Sequence, residues 1–235
     1  MLILALDSTA TVATAALCDN ETVLAAKTVS CGLKHSETLL PLIEKLLALA
    51  EKKVSDVELF ACTAGPGSFT GVRIGAATIK GLAFGGKTCV GVSTLEALAY
   101  NLRGYDGIIS PVMDARRGQL YNALFRWENG TLVRLTPDRV IMIDELAREF
   151  EEFQETIYLC GDGYSLVKET LLLDKIGETP QEQIYQNAVS VAQLAFREYQ
   201  KGNYVTDLEL RPTYLRAPQA ERGFRAITPT TTTAA

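Results

Sequence analysis

Three acidic positions lie where strands of the predicted fold end in a turn. Asp7 is followed by Ser8 and Thr9 between two apolar strands, Asp114 is followed by Ala-Arg-Arg-Gly, and Asp162 lies between two glycines. An acid with hydroxyls at a tight turn can face a phosphate and its magnesium, and a helix N-terminus beside Asp162 attracts anions. The three turns together indicate a nucleotide cleft. For Asp7, an Asx turn with purely local hydrogen bonds is the alternative.

Other catalytic motifs are missing from the sequence. The Gly-Pro-Gly-Ser-Phe-Thr-Gly run lacks the Gly-Lys-Ser/Thr of a phosphate-binding loop, and no G-x-S-x-G elbow is present. His35 is the single histidine, whereas a histidine-based metal site usually needs two or three imidazoles or thiolates. We therefore interpret His35 as a polar residue at the start of a helix.

Composition bounds the class of protein. The chain has 235 residues, of which 47% are apolar, and a formal net charge of −5. An acidic balance argues against a broad nucleic-acid surface, which needs clustered Lys and Arg, although a local basic patch stays open. The five cysteines are scattered and odd in number, so neither a disulfide framework nor a zinc knuckle is expected. The sequence shows no bilayer-spanning run and no signal peptide, which predicts a cytoplasmic protein.

The order of predicted elements occurs twice. In the first unit, strands are predicted near 2–6, 11–18, 22–29, 59–63 and 89–92, and helices near 35–52, after the Gly-Pro-Gly turn, and near 94–102. In the second unit, strands are predicted near 108–114, 119–127, 132–135 and 157–160, and helices near 143–152, after Gly163, and near 188–202. An Asn-Gly pair at 129–130 predicts a hairpin. The repeat predicts two α/β domains with mixed sheets.

Glycines recur in the helix that follows the Gly-Pro-Gly turn. Gly71 and Gly75 lie four residues apart, as do Gly81 and Gly85, so each pair falls on one helix face. A glycine inside a helix costs about 1 kcal/mol relative to alanine, so several of them indicate a face kept bare for close approach. The residues alone leave two interpretations open, packing within the same domain and contact with another protein.

Six stretches of the sequence carry a family resemblance. They are LALDSTATVATAAL, KHSETLLPLIEKLL, GPGSFTGVRIGAATIKGLAFG, GVSTLEALA, MDARRGQLYNALF and LRPTYLRAP. Together they resemble the TsaB (YeaZ) family of tRNA threonylcarbamoyladenosine synthesis over residues 1 to about 218. The resemblance implies an α/β fold of the actin-like/Hsp70-like ATPase class. Its two ribonuclease-H-like lobes would comprise residues 1–104 and 105–218, followed by a flexible tail at 219–235.

The resemblance also implies that this chain is not the catalyst. TsaB is similar to TsaD, a metal-dependent transferase whose GVNHxxxH motif supplies two metal-binding histidines. Thr94 and Leu98 occupy those positions here, and a leucine cannot bind a cation while a lone threonine hydroxyl binds one weakly. No metal, no catalytic residue and no required cofactor are therefore expected. ATP or ADP in the cleft, or at the partner interface, stays an open alternative.

A partner surface follows from the same resemblance. In the family, the first two helices of the N-terminal lobe pair with those of TsaD, and TsaB also forms homodimers through this surface. This favours the contact interpretation of the small face formed by Gly71, Gly75 and Ala76. The predicted contact residues are His35, Leu39, Leu42, Ile43, Leu46, Phe69, Thr70, Gly71, Arg73, Ile74, Gly75 and Thr78. On this hypothesis Gly75→Leu weakens assembly with TsaD and leaves the monomer folded.

The function implied by the resemblance is that of a scaffold subunit. It would bind TsaD directly, join the ATPase TsaE through the complex and meet tRNA indirectly. The complex forms N6-threonylcarbamoyladenosine at position 37 of tRNAs that read codons beginning with A. One alternative is an ATP-dependent enzyme of the same fold, a small kinase or ATPase that uses Asp7, Asp114 and Asp162. Another is a glycoprotease-like peptidase, against which the missing metal histidines argue.

Overall fold

The computed structural model describes residues 1–30 and 34–216, which form two β-sheets with helices on their faces. The predicted tail at 219–235 lies outside these residues. The first unit contains β1 (Leu2–Asp7), β2 (Val12–Asp19), β3 (Thr22–Ser30), α1 (His35–Leu49), β4 (Leu59–Gly65), α2 (Phe69–Leu82), β5 (Thr88–Ser93) and α3 (Thr94–Tyr100). The second contains β6 (Ile108–Asp114), β7 (Gln119–Asn122), β8 (Phe125–Glu128), β9 (Thr131–Arg134), β10 (Arg139–Met142), α4 (Ile143–Glu152), β11 (Ile157–Cys160), α5 (Tyr164–Leu171), β12 (Ile176–Gly177) and α6 (Gln181–Ile184). The described chain closes with α7 (Ala188–Gln200) and β13 (Val205–Thr206).

The two sheets repeat one topology. The first has the order β13-β5-β4-β1-β2-β3, and the second has the order β10-β7-β6-β11-β12 with the β8–β9 hairpin beside β6. In the first sheet β1 is antiparallel to β2 and parallel to β4. In the second sheet β6 is likewise antiparallel to β7 and parallel to β11. Each unit is therefore a ribonuclease-H-like lobe, which confirms the predicted fold class.

Helices cover both faces of the first sheet. The apolar stripe of α1 packs on β2 and β3, with Leu39 and Leu46 each 1% exposed, and α2 lies beside it. On the opposite face Val191 of α7 packs with Ile3 of β1. Burial of one such side chain stabilises the fold by roughly 1.5–3 kcal/mol, so these stripes fix the helices on the sheet.

Helix α3 connects the two lobes. Its Leu95 and Leu98 are buried in one core cluster with Ile109 of β6 and Phe125 of β8. The N-terminal end of α3 is also joined to the second lobe by polar contacts. Arg134 of β9 forms ion pairs with Glu96 and Asp138, and the hydroxyl of Ser93 donates to Asp138 at 2.6 Å. Apolar packing and charge therefore both hold the lobes at this side.

The predicted strand at 119–127 is divided in two. Its first part, β7, pairs with β6 and β10, whereas its second part, β8, pairs with β9 and with Ile109 of β6. Between them Ala123 and Leu124 are both buried, which breaks the alternation of faces that a continuous strand needs. The amide of Leu124 is satisfied by the Thr136 hydroxyl at 2.8 Å instead of by a strand. The predicted Asn129-Gly130 hairpin is confirmed, with φ of 50° and 77° as a type I′ turn requires.

The end of the described chain returns to the first sheet. Helix α7 packs on β1 and β2, and β13 pairs with β5. The division of the chain therefore differs from the predicted lobes at 1–104 and 105–218. Residues 188–206 lie in the predicted second lobe, but α7 packs on the first sheet and β13 is one of its strands. Hydrophobic patterns identify helices but not the sheet that they cover, so this return was not predictable from them. Within the described ranges no helix has the length and apolar character needed to cross a membrane.

Candidate functional site

A cleft separates the lobes where β1 and β6 end. It encloses a cavity of about 350 Å³, lined by residues 9–11, 66–69, 113–116 and 213–216 together with Asp162. Thr9, Asp114 and Asp162 are thus brought to one cleft, as the sequence predicts. Asp7 and Ser8 do not line the cavity.

The turn between β1 and β2 satisfies most of its polar groups internally, although Oδ2 of Asp7 is buried with no hydrogen-bond partner among the described residues. Asp7 accepts hydrogen bonds from the backbone N–H and the hydroxyl of Thr9, both at 2.7 Å, and the Ser8 hydroxyl donates to the carbonyl of Gly71 at 2.9 Å. All three turn residues are buried, and burial raises the pKa of the Asp7 carboxyl. The Asx turn is therefore the correct interpretation. The hydroxyls of Ser8 and Thr9 already have partners inside the lobe, so they do not fit the phosphate site that an actin-like ATPase fold implies. Nucleotide binding that involves the Asp7 carboxylate stays a prediction.

The Gly-Pro-Gly turn places the start of α2 against this first turn. The amide of Ser68 donates to the carbonyl of Thr9 at 2.7 Å, and the Ser68 hydroxyl caps α2 by accepting from the amide of Gly71 at 3.3 Å. A Cβ on Gly67 would lie 2.7 Å from both the Cβ and the carbonyl oxygen of Thr9. Glycine is therefore needed here for close approach between the two turns.

The second lobe contributes a pair of carboxylates to the cleft. Asp162 accepts from the backbone N–H of Asp114 at 3.2 Å, and Asp114 accepts from the N–H of Arg116 at 2.7 Å and pairs with its guanidinium at 3.1 Å. Burial, with the nearby charge of Asp114 adding to it, raises the pKa of Asp162 to about 6. These groups hold the turn after β6 in shape.

This raised pKa predicts a pH-dependent stability. A folded-state pKa above the ordinary 3.8 means that the native state binds the proton more tightly, so stability falls as pH rises through about 6. We expect the free energy of unfolding of the parent chain, relative to Asp162→Asn, to fall by about 1–2 kcal/mol between pH 4.5 and 7. Urea unfolding of both proteins at several pH values measures this difference. A difference that stays constant with pH contradicts the assignment.

The positions that could hold a metal are occupied by packing. Thr94 and Leu98 are buried, and Leu98 lies in the core cluster between the lobes. His35 is also buried, and its Nε2 lies 2.8 Å from the carbonyl oxygen of Ala10, so it joins the start of α1 to the β1–β2 turn. Among the residues of 1–30 and 34–216, no group of three or more His, Cys, Asp or Glu side chains could bind a metal ion.

Gly71 and Gly75 face the inside of their own lobe. A Cβ on Gly71 would lie 2.0 Å from the carbonyl oxygen of Ser8, and one on Gly75 would lie 2.7 Å from the Ser8 hydroxyl and 3.1 Å from Leu6. The prediction that these two glycines contact a partner is therefore wrong, because they let α2 approach β1. Gly75→Leu is accordingly expected to disrupt folding, not to leave the monomer intact.

The apolar residues of α1 are also unavailable to a partner. They share the face that packs on the first sheet, and each is at most 4% exposed: His35, Leu39, Leu42, Ile43 and Leu46. Their spacing of three and four residues is the signature of the core-facing side of an amphipathic helix. The prediction of partner contact is wrong for these five residues.

The outer face of α2 is the part of the predicted contact surface that is not buried in the lobe, although Tyr214 contacts Phe69 and Arg73 at its start. From the predicted set it contains Phe69, Thr70, Arg73, Ile74 and Thr78, which are all exposed or half-buried. Ala77 and Phe84, which were not in the predicted set, are exposed on the same side and follow Arg73 at helical spacing together with Gly81. The i, i+4, i+8 series Arg73, Ala77, Gly81 was the available signal. We call this surface, residues 69–84 that face outwards, the outer face of α2.

Comparison with known proteins assigns the family. The duplicated lobes around a cleft define a member of the actin-like/Hsp70-like ATPase fold class. A family model described as TsaD, tRNA N6-adenosine threonylcarbamoyltransferase, matches residues 30–222. The tRNA threonylcarbamoyladenosine biosynthesis protein TsaB of Bacillus subtilis (strain 168) is 36% identical over 172 residues, which are 73% of this chain and 75% of that protein. The TsaB protein of Escherichia coli (strain K12) is 30% identical over 92% of this chain and 95% of its own length.

A solved structure agrees with these relatives. YeaZ from Pseudomonas aeruginosa superposes with a TM-score of 0.75 at 25% sequence identity, covering 91% of this chain and 99% of that one. The chain belongs to the TsaB (YeaZ) family of tRNA threonylcarbamoyladenosine biosynthesis proteins.

Proposed function

We propose that this chain is a non-catalytic subunit in the formation of N6-threonylcarbamoyladenosine at position 37 of tRNAs that read codons beginning with A. It acts by binding TsaD through the outer face of α2. The observation that carries the proposal is the contrast between two surfaces of one lobe. The β1–β2 turn is buried with its hydroxyls bonded inside the lobe, whereas the outer face of α2 exposes Ala77 and Gly81 between larger side chains.

A bare helix face suits contact with another helix. Small residues let two helix backbones approach closely, and flanking apolar side chains bury area at the rim of such a contact. Ile74 is half-buried, and Phe84, which is 80% exposed, adds apolar surface at the far end of α2. The same face would serve a homodimer, so the homodimer and the pair with TsaD are expected to compete.

On this proposal, the partner proteins carry out metal binding and catalysis. Leu98 and Thr94, at the positions of the TsaD metal histidines, are core residues here, which supports a subunit without a metal or catalytic residue of its own. This chain would need no cofactor, any ATP or ADP would lie at the interface with TsaD, and TsaE and tRNA would join through the complex. Such a subunit raises turnover by binding one state of its partner more tightly than another.

Reconstitution tests the proposal. The TsaC-type enzyme, TsaD and TsaE of the same organism are combined with tRNA, threonine, bicarbonate and ATP, with and without this chain. Modified tRNA is expected to form only in the presence of the chain, which alone should not hydrolyse ATP. Asp114→Asn and Asp162→Asn are expected to retain the activity. Their inactivity with unchanged binding to TsaD, or ATP turnover by the isolated chain, would favour the ATP-dependent enzyme instead.

A further inference from the structure

A segment at the end of the described chain, residues 207–216, begins in a turn and runs from the first lobe to the second without helix or strand, and we call it the strap. Its first half is fixed to the first lobe. Leu210 is buried in the core that α1 and α2 cover, and the ammonium group of Lys80 donates to the carbonyl oxygens of Leu208 at 3.3 Å and Leu210 at 3.4 Å. Asp207 accepts from the backbone N–H of Gly86 at 3.0 Å. This anchor is independent of the cleft.

The middle of the strap lies on the Gly-Pro-Gly turn. The backbone N–H of Thr213 donates to the carbonyl of Ala64 at 2.7 Å, and a Cβ on Gly65 would lie 2.4 Å from the Thr213 carbonyl oxygen. The ring of the next residue, Tyr214, packs on the ring of Phe69 at the start of α2, with 4.8 Å between the ring centroids. The backbone of the turn is thus shaped to receive the strap.

The end of the strap reaches the second lobe. The guanidinium of Arg216 donates to the carbonyl oxygen of Ala115, in the turn after β6, and to the side-chain oxygen of Gln119, the first residue of β7. Donation from two nitrogens of a planar guanidinium fixes its orientation as well as its distance. Residues 213–216 also line the cavity, so the strap crosses the mouth of the cleft.

We propose that the strap clamps the two lobes across the mouth of the cleft, so that this chain's own segment, and not a ligand, holds the cleft closed. Each lobe holds one part of the strap, so the cleft cannot open without breaking the contacts of Arg216 or those of Thr213. Two-lobed proteins that close by hinge motion usually need a bound ligand to hold them closed. Here Thr9 and Ser8 have their hydroxyls bonded internally, and the strap adds a connection at the mouth of the cleft to the one that α3 makes between the lobes.

Hydrogen exchange on the full chain tests the clamp. Arg216→Ala removes the contact with the second lobe, and amides 115–119 are then expected to exchange at least about fivefold faster, because local opening becomes easier. Arg211→Ala is the matched control, since it removes the same charge from an exposed position of the strap. Exchange in α7, on the far side of the first sheet, is expected to stay unchanged.

A second variant removes a different contact of the strap, and a distance measurement reports the separation of the lobes. Thr213→Pro removes the N–H that donates to Ala64 while keeping Arg216. Spin labels on cysteines placed at exposed Lys45 and Ser165 report the separation of the lobes, in a chain with Cys31 replaced by serine; the four other cysteines are buried. Wider distance distributions in both variants support the clamp. Distances and exchange equal to those of the parent in both variants would overturn it.

Discussion

Gly71→Ala is expected to lower the free energy of unfolding by about 3 kcal/mol or more. The added methyl group would lie 2.0 Å from the carbonyl oxygen of Ser8, and that oxygen is backbone held at the end of β1. Relief therefore requires α2 to move away from the sheet, which also weakens the hydrogen bond between the Ser8 hydroxyl and Gly71. Denaturant unfolding followed by circular dichroism measures the loss.

Gly81→Ala is the matched control on the same helix. Gly81 is exposed, and a Cβ there meets no atom of the described chain within 4 Å. The substitution should stabilise the chain by about 0.5–1 kcal/mol, because alanine loses less backbone entropy in a helix. Equal effects from both substitutions would contradict the inward orientation of Gly71.

Ala77→Arg is expected to weaken binding to TsaD at least about 100-fold, which corresponds to about 3 kcal/mol. Ala77 is exposed at the centre of the outer face of α2, four residues from both Arg73 and Gly81. A long charged side chain there would hold a partner helix away or be buried without a counter-charge. The monomer should keep its stability, because arginine is a good helix former at an exposed position. Isothermal titration calorimetry with purified TsaD measures the affinity.

Ser165→Arg is the control for this substitution. Ser165 is an exposed residue of α5 in the second lobe. Its substitution introduces the same arginine side chain at a position away from α2. Its affinity for TsaD should equal that of the parent. Unchanged affinity of Ala77→Arg would place the partner on another surface, and equal losses in both variants would indicate an effect of net charge.

Local patterns predicted much of the first lobe. The apolar spacing of α1 and the Gly-Pro-Gly turn before α2 are local signals, and both helices begin at or near the expected residues. The same local signals do not show which face of each helix packs on the sheet. Gly71 and Gly75 lie on one face and Ala77 and Gly81 on another, and both faces are small enough for close approach. Only the position of β1 beneath the helix decides between them.

Only part of the cleft was predictable, because local patterns place strand ends but do not show which way each side chain points. Asp114 and Asp162 lie together because β6 and β11 are parallel neighbours that end at the same edge of the second sheet, and Thr9 of the first sheet meets them across the cleft. Whether Asp7 faces the cleft or its own turn depends on two short hydrogen bonds that a sequence does not display. The strap has no periodic pattern, and Tyr214 meets Arg73, which lies 141 residues earlier in the chain. Long-range contacts of this kind leave no local signal.

Light scattering coupled to size exclusion tests most directly whether this chain joins TsaD through α2. The chain is measured alone, with the TsaD-type protein of the same organism, and again as Ala77→Arg. The predicted result is a particle with the summed mass of one chain of each protein, which replaces any homodimer and is lost with Ala77→Arg. Two separate particles with the masses of the unmixed proteins, at concentrations far above those in the reconstitution, would contradict a direct complex with TsaD.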